Sequence, residues 1–176
     1  MAVRIRDTLQ RDTVELTTRE PGKLSMYVCG PTVYDAPHIG NARTAVAFDA
    51  IRRYLAWSGL DVTYVANVTD VEDKIIGRAA EQGRSEPDLA AEFEAVYFDQ
   101  MAQLDVLAAD HRPHATEYIA HMIELIGELV ERDHAYVVDG QGVYFAVESC
   151  PPYRELAHPT IAELPDTPGA PGDVDD

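Results

Sequence analysis

The stretch Leu24-Ser25-Met26-Tyr27-Val28-Cys29, closed by Gly30-Pro31, decides the fold. A short, largely apolar run ending in a turn dipeptide suits a buried parallel strand, because such strands meet packed layers on both faces. Past a loop over residues 30–41, residues 42–58 read as a helix. Ala47, Phe48, Ile51 and Leu55 form one apolar stripe, Arg52 and Arg53 lie off it, and Ser58-Gly59 stops it. Residues 61–68 are rich in β-branched side chains and read as the next strand. Strand, helix and strand in this span make a βαβ unit, whose crossover is expected to be right-handed.

On the N-terminal side, residues 3–16 read as a hairpin around Gln10-Arg11-Asp12, and Pro21-Gly22 marks a second turn. On the C-terminal side, Asp70 opens a helix to about Glu81, with Gly83 as its stop. Two longer helices follow over 87–107 and 115–132. The second carries Ile119, Met122, Ile123, Ile126, Leu129 and Val130 on one stripe. His134 to Val138 and Val143 to Val147 flank Asp139-Gly140-Gln141-Gly142, a hairpin signal. From Pro159 to Asp176 the chain has four Pro, two Gly, five acidic residues and no basic one, so a disordered acidic tail is expected there.

The chain has 176 residues, enough for one domain, and 46% apolar residues supply a core. No apolar run approaches the length that crosses a bilayer, and the N-terminus lacks the apolar centre of a secretion signal. A soluble cytoplasmic protein with no membrane partner is expected. Two cysteines, Cys29 and Cys150, do not make a disulfide scaffold. The net charge of −17 is unevenly placed: residues 1–84 hold eleven acidic and eleven basic groups, whereas residues 85–176 hold twenty acidic and three basic ones. A phosphate-bearing ligand is therefore expected to meet the neutral first half, and the second half by itself is a poor polyanion binder, with no DNA partner expected.

The loop after the first strand of the βαβ unit is where doubly wound sheets bind ligands. The helix that follows aims backbone N–H groups and a positive dipole end at that place. Gly40, read as lying just before the helix, lets a phosphate approach the backbone. His38 and Asn41, spaced i and i+3, can donate to phosphate oxygens together. When a carboxylate attacks an α-phosphate, the transition state needs dispersed donors around phosphorus more than a strong base. Taken alone, Cys29 reads as a small hydrophobe at a strand end and not as a metal site, which takes about three or four ligands. The cluster Asp70, Glu72 and Asp73 reads as capping and dipole compensation at a helix start. His111, His114, His121 and His134 fall on different elements with no shared face.

The tetrapeptide His38-Ile39-Gly40-Asn41 resembles the HIGH signature of class I aminoacyl-tRNA synthetases, with Asn in place of the second His. The string from Met26 to Asp35 and the string from Asn67 to Ile76 are similar to the cysteine-specific members, the cysteinyl-tRNA synthetases. Two long motifs in order at matching spacing are far more specific than one tetrapeptide. The resemblance implies an α/β, Rossmann-like (HUP-type) nucleotide-binding fold. Residues 1–84 would form its first half, 85–158 a helical and hairpin connective region, and 159–176 the tail.

The same resemblance implies a cysteine–tRNA ligase that activates cysteine with ATP and magnesium and transfers it to tRNA-Cys. His38 and Asn41 would be its catalytic pair, and His38, Gly40 and Asn41 would contact ATP. Gly30 and Thr69 would contact cysteine, and Cys29 would be one zinc ligand. Asn41 can donate a hydrogen bond but cannot carry charge. The family's later zinc ligands, a second Cys, a His and a Glu, and its KMSKS-type loop have no counterparts in the chain. The expectation is therefore a truncated front half with exposed sheet edge and apolar surface, without tightly held zinc and inactive by itself. Two other readings are a non-catalytic or split paralogue that binds nucleotide or a partner, and a cysteine ligase of the mycothiol-synthesis type. The segments Val33-Tyr34-Asp35 and Ala42-Arg43-Thr44 look more like the tRNA enzymes.

Overall fold

β3 (Lys23–Val28) and β4 (Asp61–Ala66) pair in parallel from Lys23↔Asp61 to Val28↔Ala66, and α1 (Ile39–Trp57) connects them, as the βαβ pattern requires. These elements belong to a computed structural model that describes residues 3–156, so the expected tail over 159–176 lies outside the described residues. The chain groups into two compact units. One is Thr18–Ile123; the other joins the N-terminal segment up to Thr17 to the chain from Glu124 onward.

In the Thr18–Ile123 unit, β3 is less enclosed than its composition predicts. Leu24, Met26 and Val28 are half-buried, while Lys23, Ser25 and Tyr27 on the other face are exposed. An apolar run cannot tell whether a second layer covers it; only neighbouring elements decide that. α1 also starts earlier than the expected residue 42, with His38 as its N-cap. Its inward face differs from the stripe read from the sequence: Asp49 and Leu55 are buried, and the Arg52 side chain is only 14% exposed. Ala47 and Ile51 are exposed instead.

The reason lies across the fold. Arg52 Nη1 donates to the Ala108 carbonyl at 2.7 Å, and its Nη2 pairs with Asp110 at 3.0 and 3.1 Å. Arg53 Nη2 donates to the Asp105 carbonyl at 2.6 Å, and Asp49 Oδ1 accepts from Leu107 N at 3.2 Å. These contacts hold residues 105–110 out of a helix. α3 accordingly spans Glu86–Gln103 and not the 87–107 read from apolar continuity, and Asp105 turns the chain at φ 57. An Asp tolerates that left-handed conformation better than most side chains. The released segment runs beside β4 in parallel, with bridges Val65↔His111 and Val68↔His114, so a third, strand-like layer edge follows β4.

α2 (Asp73–Gln82) begins at Glu72, whose carboxylate accepts from Lys74 N at 2.9 Å, and ends at Gly83 with φ 63. The expected helix start at Asp70 is thus three residues early. Asp70 turns away from α2 and accepts from Thr116 N and Oγ1 at 3.0 and 2.5 Å. α3 is capped by Ser85 and has Pro87 in its first turn, where a missing N–H costs nothing. Val33, Val68, Ile75, Ala79, Leu89 and Ala90 form one buried cluster, with Tyr34, Phe93 and Phe98 packed against it. Val33 belongs to the loop after β3, so the core lies directly beneath that loop.

β1 (Arg4–Asp7) and β2 (Asp12–Glu15) form the expected antiparallel hairpin, with Arg11 at φ 56 in its turn. α4 (Ile119–Glu131) follows one 3₁₀ turn over Ala115–Tyr118. Its apolar stripe is present but not covered: among its described residues none is buried, and Met122, Ile123, Leu125 and Ile126 are exposed. β5 (Ala135–Val138) and β6 (Gly142–Phe145) make the second hairpin, where Gly140 and Gly142 take φ of 73 and 139. None of the described helices is long and apolar enough to cross a membrane.

Ile75 is fully buried, so Ile75→Ala should destabilise the chain by about 2–5 kcal/mol, read from the urea midpoint at constant m-value. Burial pushes the Tyr64 and Tyr97 phenols above their ordinary 10.0; Arg52 opposes this at Tyr64, and Tyr64 adds to it at Tyr97. The unfolded chain then gives up these protons first. Stability should be intact below about pH 10 and fall above it, and the fall should be shallower in Tyr64→Phe and Tyr97→Phe urea titrations.

Candidate functional site

The loop between β3 and α1 is held from three sides before any ligand arrives. At its far end His38 caps α1: its Nδ1 accepts from Gly40 N at 2.9 Å, while Asn41 Oδ1 accepts from His38 N at 3.0 Å. Each side chain spends its acceptor on the cap. A neutral imidazole accepting at Nδ1 carries its proton on Nε2, and an amide accepting at Oδ1 keeps both protons on Nδ2. The expected pair of donors, His38 and Asn41, is thus oriented by the helix start itself. Gly40 lies inside the first turn and not before the helix as read from the sequence. A Cβ there would meet His38 Cε1 and Nδ1 at 2.7 and 2.9 Å, so this glycine first of all makes room for the capping ring.

At the near end, Gly30 N donates to Asn67 Oδ1 at 2.9 Å, and Asn67 Nδ2 donates to Thr69 Oγ1 at 3.3 Å. A Cβ on Gly30 would stand 1.7 Å from the Asn67 carbonyl oxygen. The backbone of the loop therefore touches the chain leaving β4. Beyond this point Thr69 N donates to the Pro31 carbonyl at 2.9 Å and Val33 N to the Thr69 carbonyl at 3.2 Å. Gly30 and Thr69, expected to contact one ligand, do lie on adjacent strands of chain.

The middle of the loop is gripped by α2. Arg78 Nη2 pairs with Asp35 Oδ2 at 2.8 Å, and the Lys74 ammonium sits 5.7 Å from the centre of the Tyr34 ring. Two cavities of about 240 Å³ each open beside the loop, besides a wider one of about 670 Å³ that borders Pro37, His38 and Ile39. Of the first two, one is bordered by Cys29, Thr44, Asn67 and Arg112, the other by Thr32, Asp35, His38 and Asn41; Gly30, Pro31 and Tyr97 border both. Cys29 and the His38–Asn41 pair therefore face different cavities across a shared wall. Asn67, Tyr97 and Arg112 were not singled out from the sequence. Asn67 stands in the second motif and could have been; Tyr97 and Arg112 carry no local signal and arrive only through packing, with Arg112 4.4 Å over the Phe98 ring.

Cys29 is exposed, and its Sγ lies 3.8 Å from the Gly30 carbonyl. Among the described residues no group of three or more His, Cys, Asp or Glu side chains could hold a metal ion. The residues described do not make up a complete zinc site, because one thiolate falls short of the three protein ligands that even an open site uses. His114 serves the scaffold instead. Its Nε2 lies 3.0 and 3.1 Å from the two Glu94 carboxylate oxygens, tying α3 to the turn before α4.

A family model described as the catalytic domain of class I (C) tRNA synthetases matches residues 15–171. The chain belongs to that family. Cysteine–tRNA ligases of Desulfitobacterium hafniense and Symbiobacterium thermophilum are each 46% identical over 164 residues; these cover 93% of this chain and 34% and 35% of those proteins. The one from Geobacillus thermodenitrificans is 47% identical over 163 residues, 35% of its length. The chain thus spans about a third of the length of the curated relatives it matches.

Among solved structures, a Mycobacterium tuberculosis methionyl-tRNA synthetase in complex with methionyl-adenylate has a TM-score of 0.54 and 26% identity, over 64% of this chain and 23% of that one. An Agrobacterium radiobacter LeuRS, from a ternary complex with tRNA and LeuAMS, gives a TM-score of 0.61 at 17% identity, over 76% and 22%. That second likeness concerns the fold alone. The class I synthetase fold inferred from the two motifs is therefore the fold of this chain.

Two glycine substitutions separate close approach from helix propensity. Gly30→Ala should cost about 3 kcal/mol or more in urea unfolding, because its Cβ meets a backbone carbonyl that cannot rotate away. Gly77→Ala, in α2 with nothing within 4 Å of the added Cβ, should stabilise by about 0.5–1 kcal/mol.

Proposed function

We propose that the chain supplies the ATP-facing and cysteine-facing side of a cytoplasmic cysteine–tRNA ligase. In that reaction the cysteine carboxylate attacks the α-phosphorus of magnesium-bound ATP and pyrophosphate leaves; a ribose hydroxyl of tRNA-Cys then attacks the cysteinyl carbonyl and AMP leaves. The observation that carries this reading is the cap at the start of α1, which leaves His38 Nε2–H and Asn41 Nδ2–H without an acceptor among the described residues. Donors preset by a helix start need no reorganisation when charge develops on the phosphoryl oxygens, and the helix dipole acts in the same sense.

Asn41 contributes hydrogen bonds without charge, so the dipole and the N–H donors carry the electrostatic load on this side of the site. Gly30 and Thr69 face the amino acid. Cys29 would supply one sulfur ligand to a zinc ion, which would bind the thiol side chain of the substrate. The similarity to cysteine–tRNA ligases at 46% identity supports the choice of cysteine over other amino acids.

The test is an amide-resolved NMR titration of the chain with magnesium-ATP. Shifts should concentrate at His38, Gly40 and Asn41. His38→Asn keeps a side-chain acceptor for the cap but removes the Nε2 donor, so it should weaken ATP binding about tenfold with little loss of stability. Shifts scattered elsewhere, or an unchanged Kd in His38→Asn, would sink the assignment. Cysteine-dependent pyrophosphate exchange by the chain alone should stay at background.

A further inference from the structure

We propose that Asn67 is a positioning residue that sets the hydrogen-bond polarity of the amino-acid end of the site, matching it to a zwitterionic α-amino acid. This rests on the proposed function. The Gly30 N–H is consumed by Asn67 Oδ1 at 2.9 Å, so Gly30 can meet a ligand only through its carbonyl. Among the described residues no backbone N–H donates to that carbonyl; its contact is the Cys29 thiol at 3.8 Å. An acceptor with a free lone pair suits an α-ammonium group.

Thr69 is polarised in the opposite sense. Its Oγ1 accepts from Asn67 Nδ2 at 3.3 Å, which leaves the hydroxyl proton to be donated. A donor suits the carboxylate, or the acyl oxygen it becomes. Thr69 is kept within reach of Gly30 because Thr69 N is bonded to the Pro31 carbonyl at 2.9 Å. A carboxamide is the group that can serve both neighbours, since it accepts at one atom and donates at the other. Aspartate would keep the Gly30 contact but draw in the Thr69 proton, turning that hydroxyl into an acceptor. Alanine would release the Gly30 N–H and make the same backbone position ambivalent.

The experiment uses the whole chain and its Asn67→Asp and Asn67→Ala variants. Each is titrated, with amide NMR as the readout, against magnesium-ATP and against a sulfamoyl analogue of cysteinyl-adenylate. A second analogue lacking the α-amino group is titrated as well. Expected are a loss of about tenfold or more in affinity for the full analogue in both variants, and ATP affinity within about twofold of the unaltered chain. The Gly30 amide resonance should hold its place in Asn67→Asp and move in Asn67→Ala. The unaltered chain should discriminate against the desamino analogue, and Asn67→Ala should lose much of that discrimination.

Equal affinity of all three proteins for the full analogue overturns the proposal while leaving the proposed function standing. Parallel loss of ATP and analogue in both variants shows a general structural role and overturns it too. If the unaltered chain binds neither ligand, the proposed function fails, and this inference with it.

Discussion

The contact between Gly30 and the Asn67 carbonyl is the constraint on which the rest of the Thr18–Ile123 unit depends. With no side chain at position 30, the backbone leaving β3 lies against the backbone leaving β4; any Cβ would stand 1.7 Å from an oxygen. Past this point the two chains stay together through the Thr32↔Thr69 bridge. That course carries Val33 down into the cluster with Val68, Ile75 and Leu89. The loop expected to bind ligand is therefore the roof of the hydrophobic core. Buried apolar contact beneath it adds to the polar contacts that hold it at both ends and from α2.

Charge does a different kind of work along α1. Asp49 and Arg52 lie on the inward face of α1, where apolar side chains would ordinarily pack, and the more exposed Arg53 pairs with Asp49 from beside it. Partly buried ion pairs of this kind contribute little net stability, because desolvation offsets most of the attraction. Their consequence is positional. They take up the carbonyls of Asp105 and Ala108 and the carboxylate of Asp110, whose Oδ2 also accepts from Tyr64 N at 2.7 Å. An apolar stretch that would otherwise extend α3 is thereby drawn alongside β4, and Arg112 and His114 are delivered to their places.

The same economy of atoms governs both ends of the loop. At one end the cap uses His38 Nδ1 and Asn41 Oδ1 and leaves two nitrogens that donate. At the other, Asn67 uses both of its polar atoms within the protein and so determines what Gly30 and Thr69 present. Meanwhile Ile39, Tyr54 and Trp57 on α1 and Ile123 and Leu125 on α4 remain exposed. Apolar surface on this scale is the mark of faces that meet other elements. It agrees with a chain spanning a third of the length of its relatives.

Local chemistry was enough to read the βαβ unit, both hairpins and the two motif strings, because each is written in neighbouring residues: alternation, a turn dipeptide, a glycine after a helix. The sequence alone also pointed to the family, through the two motif strings, whereas the cap that joins His38 to Asn41 was not read there, because the helix was expected to begin at residue 42. It misjudged the inward face of α1, the end of α3 and the part played by Asp70, because those were decided by partners 46 to 58 residues away. Gly40 was read as room for a phosphate and Gly30 as a turn residue, but the structure adds what a Cβ would strike at each, an imidazole at Gly40 and a carbonyl at Gly30. Only the tertiary structure decided how Asn67, Tyr97 and Arg112 meet at the loop, because a hydrogen bond between residues 30 and 67 leaves no periodic trace along the chain.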